Sequence, residues 1–96
     1  LMAGKRNVCI LVPGTRFDAT GTRHGRGGGW YDRFLARVPK TWVRIGVAAP
    51  KQYSPAPLER KTWDEPMDWV LIVFNDTVEY IKTNARKKDV SFQKEF

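Results

Sequence analysis

Apolar residues gather in three short runs, at positions 8–12, 42–49 and 69–74, of which the second is broken by Arg44 and Gly46. None alternates apolar with polar residues as a half-buried strand would. Runs of this length suit strands covered on both faces, as in a parallel sheet. Pro13 cannot donate a ladder bond, so the first strand is expected to stop there. Between the first two runs the period changes. Trp30, Tyr31, Phe34, Leu35 and Val38 recur at helical spacing and make one apolar face. Asp32 in the first turn and Arg37 and Lys40 near the end complement the helix dipole, and Pro39 ends the helix. The start is expected within residues 28–31.

The stretch after the second run is punctuated by Pro50, Pro55 and Pro57 and reads as loop, or at most a short helical turn. Residues 58–67 alternate charge with an aromatic and read as irregular. Asn75-Asp76 has turn chemistry and is followed by β-branched and aromatic residues, which predicts a terminal hairpin. Residues 82–96 are polar, basic and without period, as in an extension ordered only by a partner. The expected fold is α/β: a three-layer βαβ-type arrangement around a mostly parallel sheet, with a short C-terminal hairpin and a basic tail. The domain is placed at residues 1–82 and the extension at 83–96. The strand–helix–strand unit over residues 8–49 is expected to cross over right-handed. Ligands of such units sit beyond the carboxyl ends of the strands, where residues 13–29 fall.

Length and composition narrow this picture. Ninety-six residues allow one small domain. A hydrophobic content of 42% and a charged content of 28% fit a globular chain. No run approaches the roughly eighteen apolar residues of a membrane span, and the first residues lack a signal peptide's apolar core. A single cysteine, Cys9, excludes an internal disulfide. In an apolar strand it is expected to be a buried, inert thiol, consistent with cytosol or mitochondrial matrix. The net charge of +7 and pI of about 9.9 favour anionic partners: a nucleotide, a polyglutamylated cofactor or RNA.

The chemistry concentrates between the first strand and the helix. Gly21, Gly25, Gly27, Gly28 and Gly29 lie there with Arg23 and Arg26. Backbone N–H groups at a helix start lack intrahelical partners, and the dipole adds about half a positive charge. Glycines let the backbone come close to a ligand. The combination reads as a phosphate cradle. It is not a Walker loop, because no Gly-Lys-Ser or Gly-Lys-Thr follows. Nor is it a dinucleotide fingerprint, because Trp30 stands where the last small residue belongs. On glycine content alone, a flexible surface turn is an equal alternative.

The whole string narrows the choice. Pro13-Gly14-x-x-Phe17-Asp18-x-x-Gly21-x-Arg23-x-Gly25-x-Gly27-x-Gly29-x-Tyr31-Asp32 resembles the 5-formyltetrahydrofolate cyclo-ligase family. Arg44-Ile45-Gly46-Val47-Ala48 is similar to that family's next strand. Trp63-Asp64-Glu65-Pro66-Met67-Asp68 is similar to its late acidic motif. The chain departs from the pattern at His24, where the family has Leu, and at Trp30, which replaces the first of two tyrosines. The family's N-terminal half has no counterpart here.

The resemblance implies an ATP-dependent ring closure of 5-formyltetrahydrofolate to 5,10-methenyltetrahydrofolate. It implies magnesium (Mg2+) on Asp32 and Asp64, and leaves Asp18 to orient the loop. Residues 25–29 would cradle phosphates, Arg23 and Arg26 would neutralise charge in the reaction, and Trp30 and Tyr31 would line the pocket mouth. His24 is expected to be a loop hydrogen bonder rather than a base. A different class of function fits the excess charge and the short length: a noncatalytic subunit of a ribonucleoprotein such as a mitochondrial ribosome. Lys82, Arg86, Lys87, Lys88 and Lys94 would then hold RNA phosphates. The chain by itself is expected to show no turnover.

Overall fold

The computed structural model describes residues 8–86. The chain runs through β1 (Cys9–Val12), β2 (Arg16–Asp18), β3 (Arg23–His24), α1 (Trp30–Arg37) and β4 (Val43–Ala48). A 3-10 turn (Pro50–Gln52), β5 (Tyr53–Ser54), β6 (Trp69–Val73) and β7 (Val78–Lys82) follow. The three apolar runs became β1, β4 and β6, and they lie side by side in parallel, with β4 in the middle. β7 returns antiparallel on β6 and completes a four-stranded sheet of order β1-β4-β6-β7. The fold is α/β, and the helix begins at Trp30, inside its expected window.

Phe17 dictates how the second sheet packs. Its ring is fully buried and lies against Gly46 in the centre of β4. A Cβ at Gly46 would overlap Phe17 Cε1 and come within 2.7 Å of Cδ1. Only a residue without a side chain admits the ring so close to the strand. Register places Val12, Gly46 and Val70 on this same face, since they are Cα partners across parallel strands. Val12, Phe17, Leu35, Ala48, Met67, Val70 and Ile72 close the core there. Burying Phe17 alone contributes about 1.5–3 kcal/mol.

Two features depart from expectation. Residues 13–29 are not plain loop: β2 pairs antiparallel with β3 and parallel with β5, which makes a second, three-stranded sheet. These strands are two or three residues long, too short to impose a period on the sequence. Cys9 is exposed rather than buried. β1 is an edge strand, and only one of its faces is covered. Partial burial still pushes the Cys9 thiol up from its ordinary range, because desolvation disfavours the thiolate.

The uncovered face is continuous. Leu11 (61% exposed), Val73, Val78 and Tyr80 show their side chains on it, and Trp69 meets Tyr80 edge-on at 6.3 Å. The described residues thus supply the sheet and one covering layer. Among them, no helix is long and apolar enough to cross a membrane.

The start of the basic extension is bonded to this frame. Thr83 Oγ1 donates to the carbonyl of Met67 at 2.6 Å. Arg86 chelates Asp68, with Nε on Oδ1 at 2.9 Å and Nη2 on Oδ2 at 2.8 Å, and also donates to the carbonyls of Lys40 and Trp42. Its charge is used internally. Lys87, Lys88 and Lys94 lie outside the described residues.

Candidate functional site

Beyond the carboxyl end of β1 the chain turns at Pro13-Gly14 and comes back on itself. Thr15 donates from both N and Oγ1 to the carbonyl of His24, at 2.7 and 3.0 Å. Asp18 organises this arm. Its Oδ1 accepts from Thr20 N, Thr20 Oγ1 and Thr22 N, and its Oδ2 accepts from Leu58 N at 2.6 Å. With its carboxylate fully engaged, Asp18 orients the loop.

Burial alone would raise the Asp18 pKa. The bonds from Leu58, Thr20 and Thr22 outweigh it and hold the carboxyl below its ordinary range. A depressed carboxyl contributes stability that is present above the unfolded pKa, near 4, and is lost as pH falls through the folded value. Asp18→Asn is therefore expected to cost about 1–3 kcal/mol at pH 7, since an amide turns an N–H toward one of the donors. Urea unfolding at pH 7 and pH 3 checks this. The deficit should shrink at the lower pH, and an equal deficit at both would count against the assignment.

β3 then delivers Arg23 to the inside of a cleft of about 780 Å³, a size suited to a small molecule. Arg23 is 7% exposed, donates from Nη1 to the carbonyl of Pro13 at 2.8 Å, and lies over the Tyr31 ring with its guanidinium carbon 5.2 Å from the centroid. Its Nε is buried with no hydrogen-bond partner among the described residues. Among the described residues, no carboxylate lies within 4.0 Å of it. A nearly buried cation without a counter-charge among the described residues puts a desolvated positive charge on one wall of the cleft, apart from the acidic pair.

The glycines follow. Gly27 and Gly29 have φ of +106° and +72°, and Gly29 caps α1 with no side-chain bond to the helix start. The first N–H groups of α1 therefore stay available. A Cβ at Gly27 or Gly28 would meet nothing within 4 Å, so the protein itself leaves that space open. Arg33 Nη1 ties the loop from behind, on the carbonyl of Gly28 at 2.8 Å. Arg26 is exposed on the same loop. His24 Nε2 donates to the carbonyl of Glu59 at 2.8 Å, which fastens the opposite wall.

That wall carries the late acidic segment. Asp32 Oδ1 accepts from Glu65 N, and Asp64 Oδ2 accepts from Lys61 N, both at 2.9 Å. Each keeps one oxygen without a donor among the described residues. Magnesium is held by one or two carboxylates, completed by water and phosphate oxygens, and this pair on one cleft fits that mode. Among the described residues no three His, Cys, Asp or Glu side chains converge as a closed protein cage would require.

The cleft is lined by every site residue read from sequence: Arg23, His24, Gly25, Arg26, Gly27, Gly28, Gly29, Trp30, Tyr31, Asp32 and Asp64. Trp30 is no core residue; it is 58% exposed and stacks on Phe34. Sequence reasoning missed Thr15, Gln52 and Trp63, which also line the cleft. Only Trp63 carried a signal, as an aromatic beside a candidate ligand. Arg44 was also missed as a positioning residue. Fully buried, it joins the helix to the acidic segment through the Leu35 carbonyl at 3.0 Å and Glu65 Oε1 at 2.8 Å.

Comparison with known proteins gives one consistent family. The model of the 5-formyltetrahydrofolate cyclo-ligase family matches residues 3–73. The chain is 33% identical over 63 residues to the 5-formyltetrahydrofolate cyclo-ligase of Mycoplasma genitalium, covering 66% of this chain and 37% of that protein. It is 44% identical over 55 residues to the mitochondrial 5-formyltetrahydrofolate cyclo-ligase of Arabidopsis thaliana, covering 52% and 20%. Among solved structures it resembles the 5,10-methenyltetrahydrofolate synthetase of Mycoplasma pneumoniae, with a TM-score of 0.58 and 31% identity over 65% of this chain and 37% of that one. The synthetase of Aquifex aeolicus gives a TM-score of 0.56 and 33% identity over 90% and 39%. The chain spans less than two fifths of the length of each of these relatives.

Proposed function

This chain belongs to the 5-formyltetrahydrofolate cyclo-ligase family, and from that premise we propose that it supplies the phosphate-handling wall of a site that closes 5-formyltetrahydrofolate to 5,10-methenyltetrahydrofolate at the expense of ATP. The observation that carries the reading is Arg23, a buried cation without a carboxylate partner among the described residues, beside a helix start whose cap, Gly29, offers no side-chain bond. In the reaction the formyl oxygen attacks the γ-phosphorus and ADP leaves. N10 then attacks the formyl carbon, its proton is lost, and the carbon–oxygen bond breaks to release phosphate.

Phosphoryl transfer asks for positioning and charge compensation more than for a strong base. The N–H groups of residues 25–29 and of the helix start orient the phosphates. Arg23 and Arg26 neutralise charge as it moves toward the leaving group. Asp32 and Asp64 would hold magnesium, which supplies further neutralisation of the phosphate oxygens. Tyr31, held under Arg23, fixes the direction of the guanidinium. The chain spans less than two fifths of the length of these relatives, and by itself it is expected to bind ligand without turnover. Cytoplasm or mitochondrial matrix is the matching location, and the Arabidopsis relative is named as mitochondrial.

Gly28 offers the cleanest test. It lacks the positive φ of Gly27, and a Cβ there would meet nothing within 4 Å among the described residues. Gly28→Val is expected to leave the unfolding midpoint within the roughly 0.5 kcal/mol typical of surface substitutions. ATP affinity should fall about tenfold or more, because the added methyls occupy the space phosphate needs. Calorimetric titration with magnesium and ATP reads this. Unchanged affinity would sink the cradle.

A further inference from the structure

Packing does not account for Trp63. Its side chain is 65% exposed at a turn in an irregular segment, yet that segment is firmly tied. Glu59 bonds His24, Asp64 N donates to the Lys61 carbonyl at 3.0 Å while its Oδ2 accepts from Lys61 N, and Glu65 N bonds Asp32. The bonds hold an indole out in water at the edge of the cleft. An exposed indole forgoes most of the burial energy of a large aromatic. Trp30 lines the same cleft, with its ring supported from behind by Phe34 at 5.3 Å between centroids and 12° between planes. The cleft is thus lined by two exposed indoles as well as by the glycine loop, with its N–H donors, and the Arg23 cation.

We propose that Trp63 forms a stacking platform for a planar heteroaromatic ring of a ligand held in the cleft that Arg23 and the glycine loop also line. The inference rests on the reading of that loop as a phosphate site and adds the recognition of the ring. Two ligands of the reaction carry such a ring: the nucleotide, with adenine, and the reduced folate, with its pterin.

The test titrates the chain with magnesium and ATP, with inorganic triphosphate, and with 5-formyltetrahydrofolate, as unaltered protein, Trp63→Ala and Trp63→Phe. Trp63→Ala is expected to weaken one ring-bearing ligand about tenfold and leave inorganic triphosphate within twofold. Trp63→Phe should recover most of the loss. A loss confined to ATP assigns the platform to adenine, and a loss confined to the folate assigns it to the pterin. If triphosphate weakens in parallel, Trp63 acts only through the loop's structure and the platform is refuted. If triphosphate binds and Trp63→Ala changes nothing, the platform is wrong while the phosphate site stands. If neither triphosphate nor ATP binds the unaltered chain, the phosphate site falls and the platform with it.

Discussion

Replacing Arg23 by methionine is expected to weaken nucleotide binding about a hundredfold while moving stability by no more than about 1 kcal/mol. The two halves of this expectation have one cause. A buried guanidinium without a counter-charge is costly to the folded state. Here the cost is partly offset by the Pro13 carbonyl and the Tyr31 face, the latter worth about 0.5–2 kcal/mol. Methionine fills similar volume, gives up those contacts and removes the desolvated charge. The two changes nearly cancel in the empty protein. They do not cancel with an anion bound, because the charge then has its partner. Calorimetry for affinity and urea unfolding for stability make the comparison. Unchanged affinity, or a stability loss above about 2 kcal/mol, would make Arg23 a structural residue.

Asp68→Ala is expected to cost about 3–5 kcal/mol, much of the 5–15 kcal/mol that a domain usually has. Asp68 is 7% exposed and takes both Arg86 bonds as well as the Arg44 backbone N–H at 2.9 Å. Its removal leaves a partly buried cation and a buried amide unpaired. Arg86→Met alone should cost less, because Asp68 keeps the Arg44 bond. The double variant should fall short of the sum of the two by about 1 kcal/mol or more, the signature of direct coupling. Urea midpoints of the four proteins supply the cycle. Strict additivity would show that the pair does not act as a unit. A truncation meant to remove only the basic tail must accordingly leave Arg86 in place.

The parts of the fold legible in the sequence were those made by local pattern. β1 and β6 are each long enough for a continuous apolar run, β4 for one broken only by Arg44 and Gly46, and α1 shows one face at helical spacing. β2 and β5 pair across distant sequence, Phe17 with Tyr53, and β3 exists only through its short return on β2; two or three residues carry no period. A continuous run also cannot tell a central strand from an edge strand, which is why Cys9 surfaced on the uncovered face. For the site, the fixed string from Pro13 to Asp32 brought most of the lining residues into view. Trp63 and Gln52 reach the cleft because loops cross there; Asp64 beside Trp63 was a hint of that crossing, and nothing in the neighbours of Gln52 marks it. Arg86 read as one more tail charge because Asp68, its partner, lies eighteen positions earlier.

β7 gains a particular character from that partner. It bonds to the sheet along one side only, and four of its five residues are exposed. A strand so placed usually frays, peeling from whichever end is loose. β7 has no loose end. The Phe74 N–H on the Thr77 carbonyl closes one end. At the other, Thr83 N on the Asp68 carbonyl and the Arg86 chelate form a clasp. Peeling has nowhere to begin, so the outermost strand leaves the sheet as a unit or stays.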